Sequence, residues 1–251
     1  MKIENKVAIV TGASKGIGKA IATRFAREGA SLVVASRSRD ALEKVAHEIK
    51  SAGGEALVVT VDVRNADSTD ELVKKTVSHY GRLDLLVNNA GITMGGASEE
   101  LSPEDWRTAM ETDLFGVFFA CQAAARVMIP QGSGNIINIS SVNGILAAPR
   151  RAAYCSSKAG VNALTKVLAI EWADRNIRVN AIAPGWFRTD MMAYVEKPEF
   201  KKQCETILDG IPARRFGDID DMKAVAVFLA SSASAYITGH VLINDGGMLA
   251  K

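Results

Sequence analysis

Cysteine and histidine are scarce in this chain of 251 residues, which contains three of each. The cysteines show no paired spacing, so the sequence argues against both a disulfide framework and a thiolate metal site. The histidines share no ligand spacing with one another or with the cysteines, which favours surface or packing roles. The residues concerned are Cys121, Cys155, Cys204, His47, His79 and His240. We therefore expect no metal, and unpaired thiols fit a reducing cytoplasm.

An excess of charge is also lacking, because 30 basic residues stand against 28 acidic ones and the net charge is +2. This balance gives no electrostatic reason to expect nucleic acid or an anionic membrane as a partner. The longest apolar stretch, Leu114–Ile129, contains Gln122 and Arg126 and is shorter than a membrane span. The first residues, Met-Lys-Ile-Glu-Asn-Lys, lead directly into a strand pattern and leave no room for a signal sequence. We expect a cytoplasmic protein.

Short apolar runs alternate with longer segments of helical periodicity, which predicts parallel strands joined by crossover helices. Most of the runs are apolar throughout, as expected when helices cover both faces of the sheet. The predicted strands are Val7–Thr11, Ser31–Ala35, Ala56–Val61, Leu85–Val87, Asn135–Ile139, Arg178–Ile182 and Val241–Ile243. The predicted fold class is α/β, a single-domain Rossmann-like doubly wound parallel sheet of about seven strands with helices on both faces.

No linker or repeat interrupts this alternation of strands and helices, so residues 1–251 are predicted to form a single domain. The alternation is broken only from Arg188 to Gly217, a polar stretch that contains Pro198 and Pro212. Ligands of open α/β sheets bind beyond the carboxyl ends of the strands, so an insertion after a strand is expected to form a substrate lid. An ordinary surface excursion is the alternative.

The first predicted strand ends in a glycine-rich turn, Thr11-Gly12-Ala13-Ser14-Lys15-Gly16-Ile17-Gly18, followed by a helix. Such glycines let the backbone approach a pyrophosphate, and the amides at the start of the helix supply donors. The spacing G-x-x-x-G-x-G fits neither G-x-G-x-x-G nor the triphosphatase loop, where Ala20 would have to be a hydroxyl residue. The turn therefore predicts a dinucleotide site, with a turn that binds nothing as the alternative.

Further motifs follow in order along the chain. Asn88-Asn89-Ala90-Gly91 comes after the fourth strand, Tyr154 and Lys158 begin a long helix, and Pro184-Gly185 with Thr189 follows the sixth strand. In this combination the whole chain resembles the short-chain dehydrogenase/reductase family, in particular its 3-oxoacyl thioester reductases and its sugar and polyol dehydrogenases. The resemblance implies an oxidoreductase that transfers a hydride between a nicotinamide cofactor and a small ketone or secondary alcohol.

The end of the second strand bears on the choice of cofactor. Members of the family that use NAD typically carry an aspartate where this chain has Ser36. Arg37, the next residue, can bind the 2′-phosphate of NADP, and Lys15 can add a second cation. NADP(H) is therefore the preferred cofactor, and NAD(H) or two solvated surface cations are the alternatives. Together with the residues that the family resemblance implies, the full set expected to bind the cofactor is Gly12, Ser14, Lys15, Gly16, Ile17, Gly18, Ser36, Arg37, Asp62, Val63, Asn89, Ala90, Gly91, Tyr154, Lys158, Pro184, Gly185, Phe187 and Thr189.

Four residues are expected to carry the chemistry. Tyr154 and Lys158 are four apart and share one helix face, so the ammonium can stabilise a phenolate in a tyrosine that exchanges a proton with the substrate. Ser141 lies thirteen residues before the tyrosine, the spacing of the family, and would hydrogen-bond the substrate oxygen; Ser140 is the alternative. Asp113 stands where the family usually has an asparagine that holds a water behind the lysine. A carboxylate that only satisfies backbone groups in a buried bend is the other interpretation of Asp113.

Two further expectations concern surfaces. The helix Ala153–Trp172 is apolar on more than one face, which predicts packing against a second subunit in a homodimer or homotetramer. Arg150 and Arg151 precede Tyr154 and either meet an anionic substrate or form a solvated turn. The sequence does not indicate which ketone or alcohol is the substrate. A nucleotide-binding sensor or scaffold without turnover is the rival to an enzyme.

Overall fold

The computed structural model describes residues 3–189 and 200–250. All seven predicted strands form within this part of the chain, and their ends differ from the predicted ones by no more than two residues. The strands are β1 Val7–Thr11, β2 Ser31–Ser36, β3 Glu55–Thr60, β4 Leu85–Asn88, β5 Gly134–Ile139, β6 Ile177–Pro184 and β7 Val241–Asn244. The predicted α/β fold class is confirmed.

In the described residues the strands form one parallel sheet in the order β3-β2-β1-β4-β5-β6-β7. The order reverses between β1 and β4, where the crossover from β3 returns to the other side of β1. In sheets of this kind a crevice opens at the reversal, beyond the carboxyl ends of the strands. The turns after β1, β4, β5 and β6 therefore surround one region.

Helices cover both faces of the sheet. They are α1 Gly16–Arg27, α2 Arg39–Ser51, α3 Ala66–Tyr80, α4 Pro103–Met110, α5 Gly116–Gln131, α6 Ala152–Trp172, α7 Lys201–Asp209 and α8 Ile219–Ala230. One core packs α1, α2 and α8 on one face, and a second core packs α3, α5 and α6 on the other. The continuous apolar strands follow from this arrangement, because both faces of β1 and β2 are covered and their central residues are fully buried.

A π-helical turn, Glu111–Phe115, joins α4 to α5. This turn is not among the features predicted from the sequence. Wide turns of this type often occur at functional sites, because the extra residue changes the direction of a side chain. Here the turn contains Asp113, which is completely buried.

The helical stretch Pro103–Gln131 is long and apolar enough to cross a membrane by length and composition, and half of its most apolar window is buried inside the protein. A core helix of a water-soluble fold passes the same test. This stretch includes the apolar run Leu114–Ile129, which packs against α3 and the sheet.

The predicted lid, residues 188–217, is described in part. Residues 190–199 lie outside the described residues. Beyond them, α7 and the chain after it form a small apolar cluster with Trp186 around Ile211 and Phe216. Phe187 pairs with Gly217, so the two ends of the insertion lie side by side.

Candidate active site

The turn after β1 is tied to the turn after β4. The amide of Asn89 donates to the carbonyl oxygens of Thr11 and Gly12, at 3.1 and 3.2 Å, and the hydroxyl of Thr11 accepts from the backbone of Asn89 and Ala90. Gly12 has φ +64°, and an added Cβ there would lie 2.8 Å from the Asn89 amide nitrogen. An added Cβ at Gly18 would collide with Asn89 and Gly12. These two glycines are needed for the packing of the turn itself.

The start of α1 can receive a phosphate. Lys15 precedes the helix without a side-chain cap, and the first turn contains no acidic residue. An added Cβ at Gly16 would meet nothing within 4 Å, so open space lies above the turn. Free amides at a helix start bind anions, and the half-buried Ser14 and Ile17 border the same space. The residues present fit a dinucleotide pyrophosphate.

The ends of β2 and β3 lie next to each other. Arg37 is exposed, and no residue in the described part of the chain forms an ion pair with it. Hydrogen bonds from Arg64 are the main cause that holds the pKa of Asp62 below its ordinary value, and the charge of Arg37 adds to the effect. Ser36 ends β2 and accepts a hydrogen bond from the backbone of Ser38. Within the described part of the chain, Arg37 is thus a cation without an ion-pair partner, beside the position predicted for the adenosine ribose.

Tyr154 and Lys158 lie together on the first turns of α6. The ammonium nitrogen of Lys158 is 5.8 Å from the centre of the Tyr154 ring and donates a 3.0 Å hydrogen bond to the carbonyl of Ile139, the last residue of β5. Lys158 is buried, whereas Tyr154 is partly exposed. The buried cation is therefore anchored to the sheet behind a tyrosine that solvent can reach.

Ser141 follows β5 and is buried, and the turn that it begins packs on the backbone of Lys158. Its hydroxyl accepts from the backbone of Asn143 and begins the short helical turn Val142–Gly144. The neighbouring Ser140 donates its hydroxyl to Asn162 at 2.6 Å and also contacts the carbonyl of Lys158. Because both contacts of Ser140 are made to the body of α6, the geometry favours Ser141 over Ser140 as the residue near a substrate.

The matches to known proteins cover the same elements. A sequence model of the family described as Enoyl-(Acyl carrier protein) reductase matches residues 12–249. The 3-oxoacyl-(acyl-carrier-protein) reductase FabG of Thermotoga maritima is 43% identical over 249 residues, which cover 99% of this chain and 100% of the relative. The chain belongs to the short-chain dehydrogenase/reductase family. It is an oxidoreductase that acts on alcohol or carbonyl groups.

Solved structures of the short-chain dehydrogenase/reductase family superpose on the whole chain. A putative short-chain alcohol dehydrogenase from Sinorhizobium meliloti is 41% identical with a TM-score of 0.94, covering 100% of this chain and 98% of that one. A gluconate 5-dehydrogenase from Burkholderia cenocepacia, in complex with NADP and tartrate, is 34% identical with a TM-score of 0.94, covering 100% and 97%.

Asp113 departs from the family pattern and lies beside the lysine. One carboxylate oxygen accepts from the backbone of Ile92 at 2.8 Å, and the other is buried without a hydrogen-bond partner among the described residues. An added Cβ at Gly91 would lie 3.0 Å from the carboxylate and 3.5 Å from the Lys158 ammonium. Burial raises the pKa of Asp113, and the charge of Lys158 and the Ile92 amide oppose that rise. The hydrogen bond from Ile92 fits the interpretation in which Asp113 only satisfies backbone groups. The second oxygen has no partner among the described residues, as the proton-path interpretation requires.

The remaining residues expected at the cofactor take different positions. Pro184 is the buried last residue of β6, and the amide of Gly185 is bonded to Asn244. Phe187 is buried in the core with its ring against Gly217, so its side chain points into the protein interior. Val63 packs against Gly116, and Thr189 is the last residue of the described range 3–189. For Phe187, only the backbone is left as a candidate cofactor contact.

Sequence reasoning missed a buried polar network beneath the site. Asn88 donates to Asn138 at 2.9 Å, and Asn138 donates to Thr165 on α6 at 3.0 Å. Cys121 lies within this network, where burial raises the pKa of its thiol to about 12. Polar residues inside apolar strands and helices were the available signal, because they need buried partners. Among the described residues, no group of three His, Cys, Asp or Glu side chains could hold a metal ion.

Asn162 was also missed. It lies one turn beyond Lys158 on α6, and its amide donates to the carbonyl of Gly144 at 3.1 Å while its oxygen accepts from Ser140. An added Cβ at Gly144 would lie 2.8 Å from the Lys158 backbone, so the turn after Ser141 packs directly on the helix. Asn162 therefore fixes the turn that contains Ser141 against the helix that contains Tyr154.

Proposed function

We propose that the protein is an NADP(H)-dependent oxidoreductase that interconverts a small ketone and the corresponding secondary alcohol, with Tyr154 as general acid and base. The observation that carries the proposal is the anchored ammonium of Lys158, 5.8 Å from the ring of a solvent-accessible Tyr154. The nicotinamide, when bound, supplies or accepts the hydride. In the direction of reduction, the Tyr154 hydroxyl gives its proton to the carbonyl oxygen, and in oxidation the phenolate takes it back.

The other residues act on the tyrosine and on the substrate oxygen. Lys158 stabilises negative charge on the phenolate, since a buried cation acts through a low dielectric. Ser141 donates a hydrogen bond to the oxygen as charge develops, and the packed turn on α6 keeps this donor in place before the reaction. Asp113 is assigned to the proton path behind Lys158, because its second oxygen has no hydrogen-bond partner among the described residues and can accept from a water.

The cofactor preference follows from Arg37 and Ser36. An unpaired guanidinium suits a phosphate, and no acidic side chain stands at Ser36 to hold a ribose hydroxyl. Lys15 is exposed nearby at the start of α1. Complexes of related proteins with NADP support the same choice.

A homodimer or homotetramer in the cytoplasm is part of the proposal. Ile170 on α6 is 81% exposed and Val167 is 49% exposed, and Phe115 and Phe118 are exposed on the neighbouring helical segment. Large apolar side chains on adjacent helices suit a subunit interface. Within a single domain, residues 188–217 are proposed to close over the substrate. Analytical ultracentrifugation tests the assembly, and a monomer at micromolar concentration would contradict it.

The catalytic proposal is tested by following reduced nicotinamide with a panel of 3-oxoacyl thioesters, sugar acids, cyclic ketones and simple ketones. NADPH and NADH are compared at matched concentrations. We expect faster turnover with NADPH than with NADH. Binding of NADPH without turnover of any compound, in either direction, would favour the rival assignment as a nucleotide-binding scaffold.

A further inference from the structure

Arg151, Tyr154 and Lys158 lie on one face at the start of α6. Arg151 is the residue immediately before the helix, and residues three and four positions apart share a helix face. Exposure increases along this face, from buried Lys158 to partly exposed Tyr154 and Arg151. A guanidinium therefore stands at the outer end of the face that carries the proposed acid and base.

The loop after β4 follows the same face. At its start, an added Cβ on Gly91 would lie 3.5 Å from the ammonium of Lys158. Four residues later, an added Cβ on Gly95 would lie 3.0 Å from a guanidinium nitrogen of Arg151. Gly96 donates its backbone amide to the carbonyl of Arg150 at 3.0 Å, which ties the loop to the start of the helix. The loop therefore lies against both Lys158 and Arg151, the two cations that flank Tyr154 along this helix face.

The guanidinium of Arg151 has no partner within residues 3–189 and 200–250, since no hydrogen bond or ion pair engages it there. The first turn of α6 contains no acidic residue. Glu99 and Glu100, which follow the loop, form no ion pair with it in the same part of the chain. A partly buried guanidinium without an internal partner presents its planar donors to a carboxylate or a phosphate.

We propose that Arg151 binds an anionic group of the substrate and makes the enzyme selective for ketones and alcohols that carry a carboxylate or a phosphate. This inference rests on the proposed function and adds the substrate class. Because Arg151 precedes Tyr154 by about one helical turn, the substrates chosen for the test carry the anionic group within a few bonds of the carbonyl. Gly95 contributes by leaving room for the guanidinium beside the loop.

The test compares matched substrates that differ in charge. Levulinate is paired with its methyl ester, and dihydroxyacetone phosphate with dihydroxyacetone, so that one pair tests a carboxylate and the other a phosphate. The wild-type enzyme is expected to have a kcat/KM at least about tenfold higher for the charged member of one pair, a difference of about 1.4 kcal/mol. Arg151→Gln should lower that charged-to-neutral ratio about tenfold, and its backbone bond to Cys155 is retained.

Arg150→Gln is the matched control, because it removes the same charge from the adjacent, exposed position. An equal loss of selectivity in both variants would assign the effect to the total positive charge of the turn and would overturn the specific role of Arg151. A wild-type enzyme that reduces the neutral members as well as the charged ones with NADPH would overturn the inference but keep the proposed function. Absence of turnover with these pairs and with the whole carbonyl panel would overturn the proposed function itself.

Discussion

The hydroxyl of Ser140 donates a hydrogen bond of 2.6 Å to the side-chain oxygen of Asn162. Through this bond and the bond from Asn162 to Gly144, the chain on both sides of Ser141 is fixed to α6. The same helix contains Tyr154 and Lys158. The separation between the proposed oxygen-binding serine and the proposed proton donor thus depends on Asn162, a residue outside the predicted catalytic and cofactor-binding sets.

Asn162→Ala is expected to lower kcat about tenfold, which corresponds to about 1.4 kcal/mol of barrier, because the turn around Ser141 loses its attachment. The KM for NADPH should change little, since the phosphate turn lies elsewhere. Steady-state kinetics separate the two effects. Thr165→Val is the control: it removes a buried hydrogen bond one turn further along α6 and should lower the free energy of unfolding by about 1–3 kcal/mol with normal kcat. Equal kinetics in both variants would contradict a positioning role.

Tyr154→Phe is expected to lower turnover by about 10²–10⁴-fold, the usual contribution of general acid–base catalysis, while NADPH still binds. The ring remains, and only the hydroxyl that transfers the proton is removed. Initial rates and cofactor titration by fluorescence measure the two properties. Tyr236→Phe, at a fully exposed site, serves as the control. Retention of more than about a hundredth of the wild-type rate would exclude Tyr154 as the general acid.

The double variant Ser36→Asp with Arg37→Ala is expected to lower the preference for NADPH over NADH by about 10–100-fold, since hydrogen bonds to charged groups contribute about 1.5–3 kcal/mol. The new carboxylate would accept from the ribose hydroxyl of NADH and repel the phosphate of NADPH. The ratio of kcat/KM for the two cofactors is the measurement. Arg39→Ala removes an exposed cation that is paired with Glu43 and should leave the ratio unchanged. An unaltered ratio in the double variant would remove Arg37 from the cofactor site.

Asp113→Asn is expected to keep most activity and shift the pH dependence of turnover, whereas Asp113→Ala should lower kcat at least about tenfold. Burial raises the pKa of Asp113, so its protonated form is favoured by folding, and this stabilisation is lost as the pH rises through the raised pKa. The asparagine variant should therefore have a higher free energy of unfolding than wild type at neutral pH. Urea unfolding across a pH series measures it.

Asp84→Asn gives a control with the opposite sign. Although burial raises the pKa of Asp84, hydrogen bonds from Arg82 and the Val7 amide, with the charges of Lys6 and Arg82, hold it below the ordinary value. The stabilisation by the Asp84 carboxylate is present above its ordinary pKa and lost in acid, so Asp84→Asn should be less stable than wild type at neutral pH.

Normal turnover of Asp113→Ala at every pH would place Asp113 outside the proton path.

The sequence by itself determined the elements that depend on neighbouring residues. Continuous apolar runs defined the seven strands, because a strand covered on both faces has no polar side. The glycine spacing after Thr11 predicted the phosphate turn, and the four-residue spacing of Tyr154 and Lys158 predicted that they share a helix face, since helix geometry alone sets that relationship. These features are local, and a linear pattern is enough to specify them.

Only the tertiary structure decided contacts between residues far apart in the chain. The π-helical turn directs Asp113 towards Ile92 and Lys158, and the contact with Asn162 separates the role of Ser140 from that of Ser141. The same holds for Phe187, whose ring packs inward on Gly217. Each outcome depends on which side chains the folded sheet and helices bring together, and packing across tens of residues leaves no periodic pattern in the sequence.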